Sequence, residues 1–327
     1  MKKIFKLSML LALALVLTAC QGQGSQDTSQ DVENQEMVKV SSNAGEGNYE
    51  DVEIAKDPQR IVVLDNAVLD LLDALGYGDR VVAMPLTNPL EYQKPYAEKE
   101  GMVNAGTLKQ FDLEAIMSAR PDLIMMGGRG IESLEDLRKI APVVSIIVGE
   151  DGVVNGLEKN LTTVASIFGA EDKVDQLMTP IKERVEALKE KSQGHTAVIG
   201  LVTNGGFNVL DNSGRMTLIT NELGFENIGQ DIQVDESAEA AHGNETTFEF
   251  LLEKNPEYIF VLDRDSAIAT EGAQLASEIM DNEIVNKTQA AENGNVIVLG
   301  HSGVWYTAEG GYQGVSIMLD DLEAVLK

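Results

Sequence analysis

The sequence predicts an α/β protein of two lobes with mainly parallel sheets, joined by one long connecting helix. Three observations carry that expectation. Short β-branched apolar runs alternate with helical patterns, a weak internal repeat is present, and a long helical stretch separates its two copies.

At the N-terminus, Lys2, Lys3 and Lys6 precede an apolar stretch, residues 7–16, that is too short to span a bilayer as a mature helix. Residues 1–19 therefore read as a signal peptide. Leu17-Thr18-Ala19-Cys20 reads as a lipobox with Cys20 as the lipidated residue; the alternative is a plain secretory signal with an incidental cysteine. Two acyl chains suffice for a stable anchor, which places the mature chain outside the cytoplasm on the cell membrane. Cys20 is the only cysteine, which excludes disulfides and thiolate metal ligands from the fold.

Removing residues 1–19, which hold three lysines and no acid, takes the net charge from −28 to about −31. Such a surface stays soluble and repels nucleic acid. From Gln21 to about Gly47 the chain is rich in Gln, Ser, Asn, Gly and acids, with few large apolar side chains. Residues 20–50 are accordingly expected to form a disordered tether, with a typical reach of about 30 Å.

The remaining chain is long enough for two lobes. The expected division is 51–168 for the N-terminal lobe, 169–192 for the connecting helix and 193–327 for the C-terminal lobe. Ile61-Val62-Val63-Leu64 has the character of a buried strand. An amphipathic helix follows through Val68, Leu69, Leu71, Leu72 and Leu75 and ends at Gly76, and Val81 to Met84 forms the next strand.

Residues 112–129, DLEAIMSARPDLIMMGGR, align without gaps on residues 247–264, TFEFLLEKNPEYIFVLDR, pairing Glu114 with Glu249, Pro121 with Pro256 and Arg129 with Arg264. Each copy reads as a short helix stopped before proline, then a strand, then an arginine just past the strand end. Between the copies Leu157 to Phe168 is amphipathic, and a second pattern runs from Asp172 to about Lys191. Pro180 falls inside that pattern and should kink or break it. Ala197 to Val202 then opens the second lobe as a strand.

Ligands of open parallel sheets bind beyond the C-terminal ends of the strands. Arg129 and Arg264 both sit there, and Arg215 lies in the turn-rich loop Asp211-Asn212-Ser213-Gly214-Arg215 before a helix expected over residues 216–223. The chain has only eight arginines. Three near one cleft point to an anionic ligand, because guanidinium offers a rigid fork of donors to oxyanions. A local carboxylate is the competing explanation for each: Glu132 for Arg129, and Asp263 or Asp265 for Arg264.

His242 lies in a loop before the second-copy helix, and Tyr306 follows the last strand in a strand-end loop. Imidazole and phenolate could complete the coordination of Fe(III) left unsaturated by its chelator; otherwise both are ordinary loop residues. An enzyme is disfavoured. No G-x-S-x-G elbow is present, and Gly300-His301-Ser302-Gly303 is the nearest approach to one. Three histidines and no second cysteine also argue against a carrier of bare zinc or manganese.

The segments RIVVLDNAVLDLLDALGYGDRVVAMP, NAGTLKQFDLEAIMSARPDLIMMGGR, GNETTFEFLLEKNPEYIFVLDRDSAI and WYTAEGG resemble those of bacterial iron-siderophore substrate-binding lipoproteins that feed ABC importers. The resemblance covers about residues 52–327 and is nearest to the catecholate branch, with its petrobactin and enterobactin-fragment binders. It implies two α/β lobes joined by one helix, no intrinsic cofactor, a ferric siderophore as transported ligand, and a monomer that docks on permease subunits.

The resemblance also implies roles for single residues. Arg129, Arg215 and Arg264 look like anion-holding arginines, and His242 and Tyr306 like iron ligands for tetradentate catecholates. Glu114 and Glu249 look like glutamates that dock permease arginines, although Thr246-Thr247-Phe248-Glu249 also reads as a capping box. The tip GGRGIESLEDL is more acidic after Arg129 than the branch pattern. The same fold binding haem, cobalamin or a ferric hydroxamate is the alternative.

Overall fold

The computed structural model describes residues 36–45, 47–147, 152–230 and 244–326. The expected signal peptide, Cys20, the expected tether up to residue 35 and His242 lie outside the described residues.

The N-terminal lobe runs β1 (Met37–Gly45), β2 (Asn48–Ala55), β3 (Ile61–Val63), α1 (Asn66–Leu75), β4 (Val81–Met84), α2 (Lys94–Ala97), β5 (Val103–Asn104), α3 (Leu113–Ser118), β6 (Leu123–Met126), α4 (Leu134–Leu137) and β7 (Val143–Ser145). Helices α5 (Val153–Phe168) and α6 (Val174–Ser192) follow. The C-terminal lobe runs β8 (Thr196–Thr203), β9 (Gly206–Val209), β10 (Glu226–Asn227), β11 (Asn244–Thr246), α7 (Phe248–Lys254), β12 (Tyr258–Asp263), α8 (Arg264–Ala267), α9 (Ala276–Met280), α10 (Gln289–Glu292), β13 (Val296–Val298), α11 (Ser302–Thr307) and α12 (Tyr312–Val325).

The first sheet has the order β5-β4-β3-β6-β7 and is parallel throughout. The second has the order β11-β9-β8-β12-β13, parallel through β8, β12 and β13 and antiparallel where β9 meets β8 and β11. Strand periodicity explains the continuous apolar runs. Ile61 and Val63 enter one core cluster while Val62 and Leu64 enter another, and Phe260 and Leu262 are likewise separated from Ile259 and Val261. Both faces of each sheet are buried, so no residue of a central strand can be polar without cost. The inner cluster contains residues of β3, α1, α5, α6, β8 and α12, so the two lobes share one core through the helices between them.

Helix α1 begins where Asp65 accepts a hydrogen bond from the backbone N–H of Ala67, and ends at Gly76 in the left-handed region (φ 87°). Helix α6 continues unbroken across Pro180. Buried Met178, Ile181, Val185 and Leu188 hold it against the core on both sides of the proline, and that packing outweighs one missing helix hydrogen bond. Helix α12 packs on both α1 and α6. Arg184 of α6 bridges to Asp320 and Glu323 of α12 at 2.5 and 2.7 Å.

The expected tether ends earlier than residue 50. Met37–Gly45 and Asn48–Ala55 pair as an antiparallel hairpin, β1 on β2, with Val40 opposite Val52. Its stability comes from long-range contacts. Ser42 is fully buried and its hydroxyl accepts from the backbone N–H of Ser145, so the hairpin covers the edge strand β7. Two further expectations differ. The helix after Arg215 is a single wide turn, Leu218–Glu222, and Tyr306 lies on helix α11 rather than in a loop.

The internal repeat is structural. Arg120 and Asn255, each the residue before the aligned proline, share the same left-handed φ of 46°. The acid after each proline then anchors the strand that comes first in chain order in its lobe's main sheet. Asp122 accepts from Gln59 N and Arg60 N ahead of β3, and Glu257 accepts from Thr196 N at the start of β8.

Candidate functional site

The strand-end loops deliver their arginines to one side chain. Arg129 follows β6 across Gly127 and Gly128, Arg215 ends the loop after β9, and Arg264 is the first residue of α8 directly after β12. Gly127 is required locally: a Cβ there would lie 2.3 Å from the Asp65 carboxylate, which occupies that space.

Tyr306 is the meeting point and is only 5% exposed. Arg129 Nη2 and Arg215 Nη1 donate to its backbone carbonyl at 2.6 and 2.7 Å, and Arg264 Nε donates to its phenol oxygen at 3.2 Å. The Arg215 guanidinium also lies 4.0 Å from the ring centroid, with those of Arg129 and Arg264 at 5.9 and 5.8 Å. Arg129 crosses from one lobe to the other to make its bond.

Two cavities meet at this tyrosine. One, of about 280 Å³, is lined by Asp65, Asn160, Arg129, Arg215, Tyr306 and Glu309 among others. The other, of about 310 Å³, is lined in part by Thr87, Asn88, Lys109, Arg129, Arg264 and Tyr306. Two cations thus share one uncharged acceptor at the wall of both cavities. Burial, and then the neighbouring charge of Arg129, lower the pKa of the Arg215 guanidinium.

Carboxylates lie near two of the three guanidinium groups. Arg129 lies 3.7 Å from Asp65, not beside Glu132, and Arg264 lies 3.6 Å from Asp265. Burial raises Asp65 against the opposing pull of Arg129. Burial likewise pushes the Glu309 carboxyl up to about 7, despite Arg215 and Arg129. Its Oε1 is buried without a hydrogen-bond partner. A site with converging guanidinium groups and weakened carboxylates attracts anionic oxygen donors.

A family profile described as periplasmic binding protein matches residues 61–302. The chain belongs to the periplasmic binding protein family. This binding protein is 26% identical to the petrobactin-binding protein YclQ of Bacillus subtilis over 99% of its own length and 98% of that protein. The crystal structure of that relative matches with a TM-score of 0.81, covering 90% of this chain and 99% of the other. The catecholate-siderophore binding protein VctP of Vibrio cholerae matches at 25% identity and a TM-score of 0.78, covering 88% and 100%. A TroA-like periplasmic binding protein from Xylanimonas cellulosilytica matches at 33% identity and 0.76, covering 89% and 98%. Family membership supports the expected two-lobed α/β class and a binding protein rather than an enzyme.

The three expected arginines and Tyr306 therefore come together, while His242 is outside the described residues. Glu114 and Glu249 lie away from the cavities, exposed near the starts of α3 and α7. The expected capping box does not form. Helix α7 starts at Phe248 with Thr247 as its N-cap and no side-chain cap bond, so Glu249 is the second helical residue, as Glu114 is in α3. Sequence reasoning missed Asp65 and Glu309. Asp65 carried a usable signal, because it follows the β3 run at a strand end like Arg129.

Proposed function

We propose that the chain captures a ferric siderophore, of catecholate type, outside the cytoplasm and delivers it to an ABC importer. The observation that carries this reading is the convergence of Arg129, Arg215 and Arg264 on Tyr306 at the wall of two cavities. A ferric catecholate is an anion with a rim of oxygens, which matches the donors of several guanidinium forks. Relatives named for petrobactin and for catecholate siderophores fit the same ligand chemistry.

Iron is cargo in this scheme. A hexadentate siderophore fills the coordination sphere and needs only the arginines. A tetradentate one leaves two positions, for which Tyr306 and His242 are the proposed ligands. Removal of residues 1–19 and lipidation of Cys20 would hold the monomer on the membrane, with Glu114 and Glu249 docking on permease arginines. No helix among the described residues is long and apolar enough to cross a membrane.

Trp305 is the only tryptophan and adjoins Tyr306, so its emission reports on the site. Titration with a ferric catecholate, haem and cobalamin should give saturable quenching by the catecholate at far lower concentration than by the other two. Tighter binding of haem or cobalamin would replace this function with the corresponding one.

A further inference from the structure

The two cavities beside Tyr306 differ in charge. The one of about 310 Å³ has Lys109, Arg129 and Arg264 in its wall and no carboxylate among the described residues. The one of about 280 Å³ shares Arg129 and Tyr306 with it but takes in both Asp65 and Glu309. Carboxylates suit an anion site poorly, because each repels the ligand and costs free energy to bury without a partner.

The acceptors in the smaller cavity are only partly used. Glu309 faces the guanidinium groups of Arg215 and Arg129 and the backbone N–H of Met216. Its Oε1 is nevertheless buried with no hydrogen-bond partner among the described residues. Asp65 gives Oδ1 to the N–H of Ala67 at the start of α1, while its Oδ2 stands 3.7 Å from Arg129 Nη1, beyond hydrogen-bond reach. Arg129 Nη2 and Arg215 Nη1 point instead to the Tyr306 carbonyl. A ligand group that satisfies these two acids must donate hydrogens and carry positive charge. An ammonium group does both, having several N–H donors and no acceptor. A second anion does neither.

We propose that the cavity lined by Asp65 and Glu309 is a subsite for a protonated amine in the siderophore's linker, with the ferric catecholate centre held in the carboxylate-free cavity by Arg264 and Lys109. The inference rests on the capture reading above and narrows its substrate class to catecholates joined through an amine-bearing chain. Glu309 is then a specificity-determining residue. Its charge opposes a purely anionic ligand but pairs with one that carries an ammonium group, so one carboxylate sorts two catecholates of the same size. Glu132, exposed and in neither cavity wall, has no such role.

The test uses the full chain and two ferric catecholates with linkers of equal length, one holding a secondary amine and the other a methylene in its place. Trp305 quenching near neutral pH should show the amine ligand binding at least about tenfold more tightly, the effect of one charge-assisted hydrogen bond. Glu309→Gln, of nearly the same size, should loosen the amine ligand about tenfold and tighten the methylene one, so the preference disappears. Asp65→Asn, which keeps a side chain able to cap α1, should reduce the preference independently. Glu132→Gln should leave it intact; its loss there too would trace the preference to the overall negative charge and overturn the subsite. Equal affinities in the wild type, or a preference that survives both Glu309→Gln and Asp65→Asn, overturn this inference and leave catecholate capture standing. If neither ligand gives saturable quenching, the capture reading fails and takes the amine subsite with it.

Discussion

Arg215 holds Tyr306 twice: its Nη1 donates to the backbone carbonyl at 2.7 Å while its guanidinium lies 4.0 Å from the ring centroid. One arginine thus fixes both the backbone and the ring of the residue proposed to meet iron. Arg129 from the other lobe joins the same carbonyl, so the tyrosine also gauges the closeness of the lobes.

That arrangement separates two ligand classes. His242→Ala and Tyr306→Phe should weaken a ferric bis-catecholate by at least about tenfold more than a ferric tris-catecholate, because only the former has coordination positions free. The visible charge-transfer band of the bis-catecholate should shift on binding to the wild type and not to Tyr306→Phe. Equal losses for both ligands, with an unchanged shift, would make these residues bystanders.

Glu309 should make ligand binding pH-dependent. Burial raises its carboxyl from an ordinary 4.5 to about 7. The folded chain therefore holds the proton more tightly than the unfolded one. The stability this group contributes is complete below pH 4.5 and is lost as pH rises through 7. Ionisation also puts negative charge into the cavity, so affinity for an anionic siderophore should fall several-fold between about pH 6 and 8. Glu309→Gln should flatten both the binding and the unfolding profiles; an unaltered slope in that variant would assign the dependence elsewhere.

Asp70 ties the lobes together below the site. Its carboxylate accepts from Tyr92 Oη at 2.9 Å, from Gln93 Nε2 at 2.8 Å and from the backbone N–H of Gly314 on α12 at 2.8 Å. Asp70→Ala orphans three donors in a buried place and should cost about 3 kcal/mol in denaturant unfolding. A loss under about 1 kcal/mol would mean that water replaces the carboxylate.

The two glutamates proposed to dock on the importer should be dispensable for folding. Neither one caps its helix, and both are exposed. Glu114→Ala/Glu249→Ala should abolish cellular iron–siderophore uptake, leave siderophore affinity intact, and change stability by no more than about 0.5 kcal/mol. Normal uptake by this folded variant would remove the two residues from the delivery step.

Much of this architecture was legible from local patterns. The strands β3, β4, β6, β8 and β12, the end of α1 at Gly76 and the aligned arginines all follow from apolar runs, a turn residue and a repeat. The hairpin β1–β2 was not legible, because small polar residues such as Ser42 become buried only through a partner about a hundred positions away. Pro180 reads as a kink or a break because the packing that keeps α6 continuous around it is tertiary. Glu309 was invisible among 53 acidic residues, since only the folded cavity distinguishes it. The capping box at Glu249 failed for a local reason: the helix starts one residue later than the motif requires.

The most direct measurement compares an anionic ferric catecholate with an uncharged ferric hydroxamate of similar size, on the wild type and on Arg129→Ala, Arg215→Ala and Arg264→Ala. The wild type should prefer the catecholate by at least about a hundredfold. Each arginine removed should reduce that preference by roughly tenfold or more, as expected for loss of a charge-assisted contact. A wild type that prefers the hydroxamate, or arginine variants that keep the full preference, would contradict capture of a catecholate by this arginine cluster.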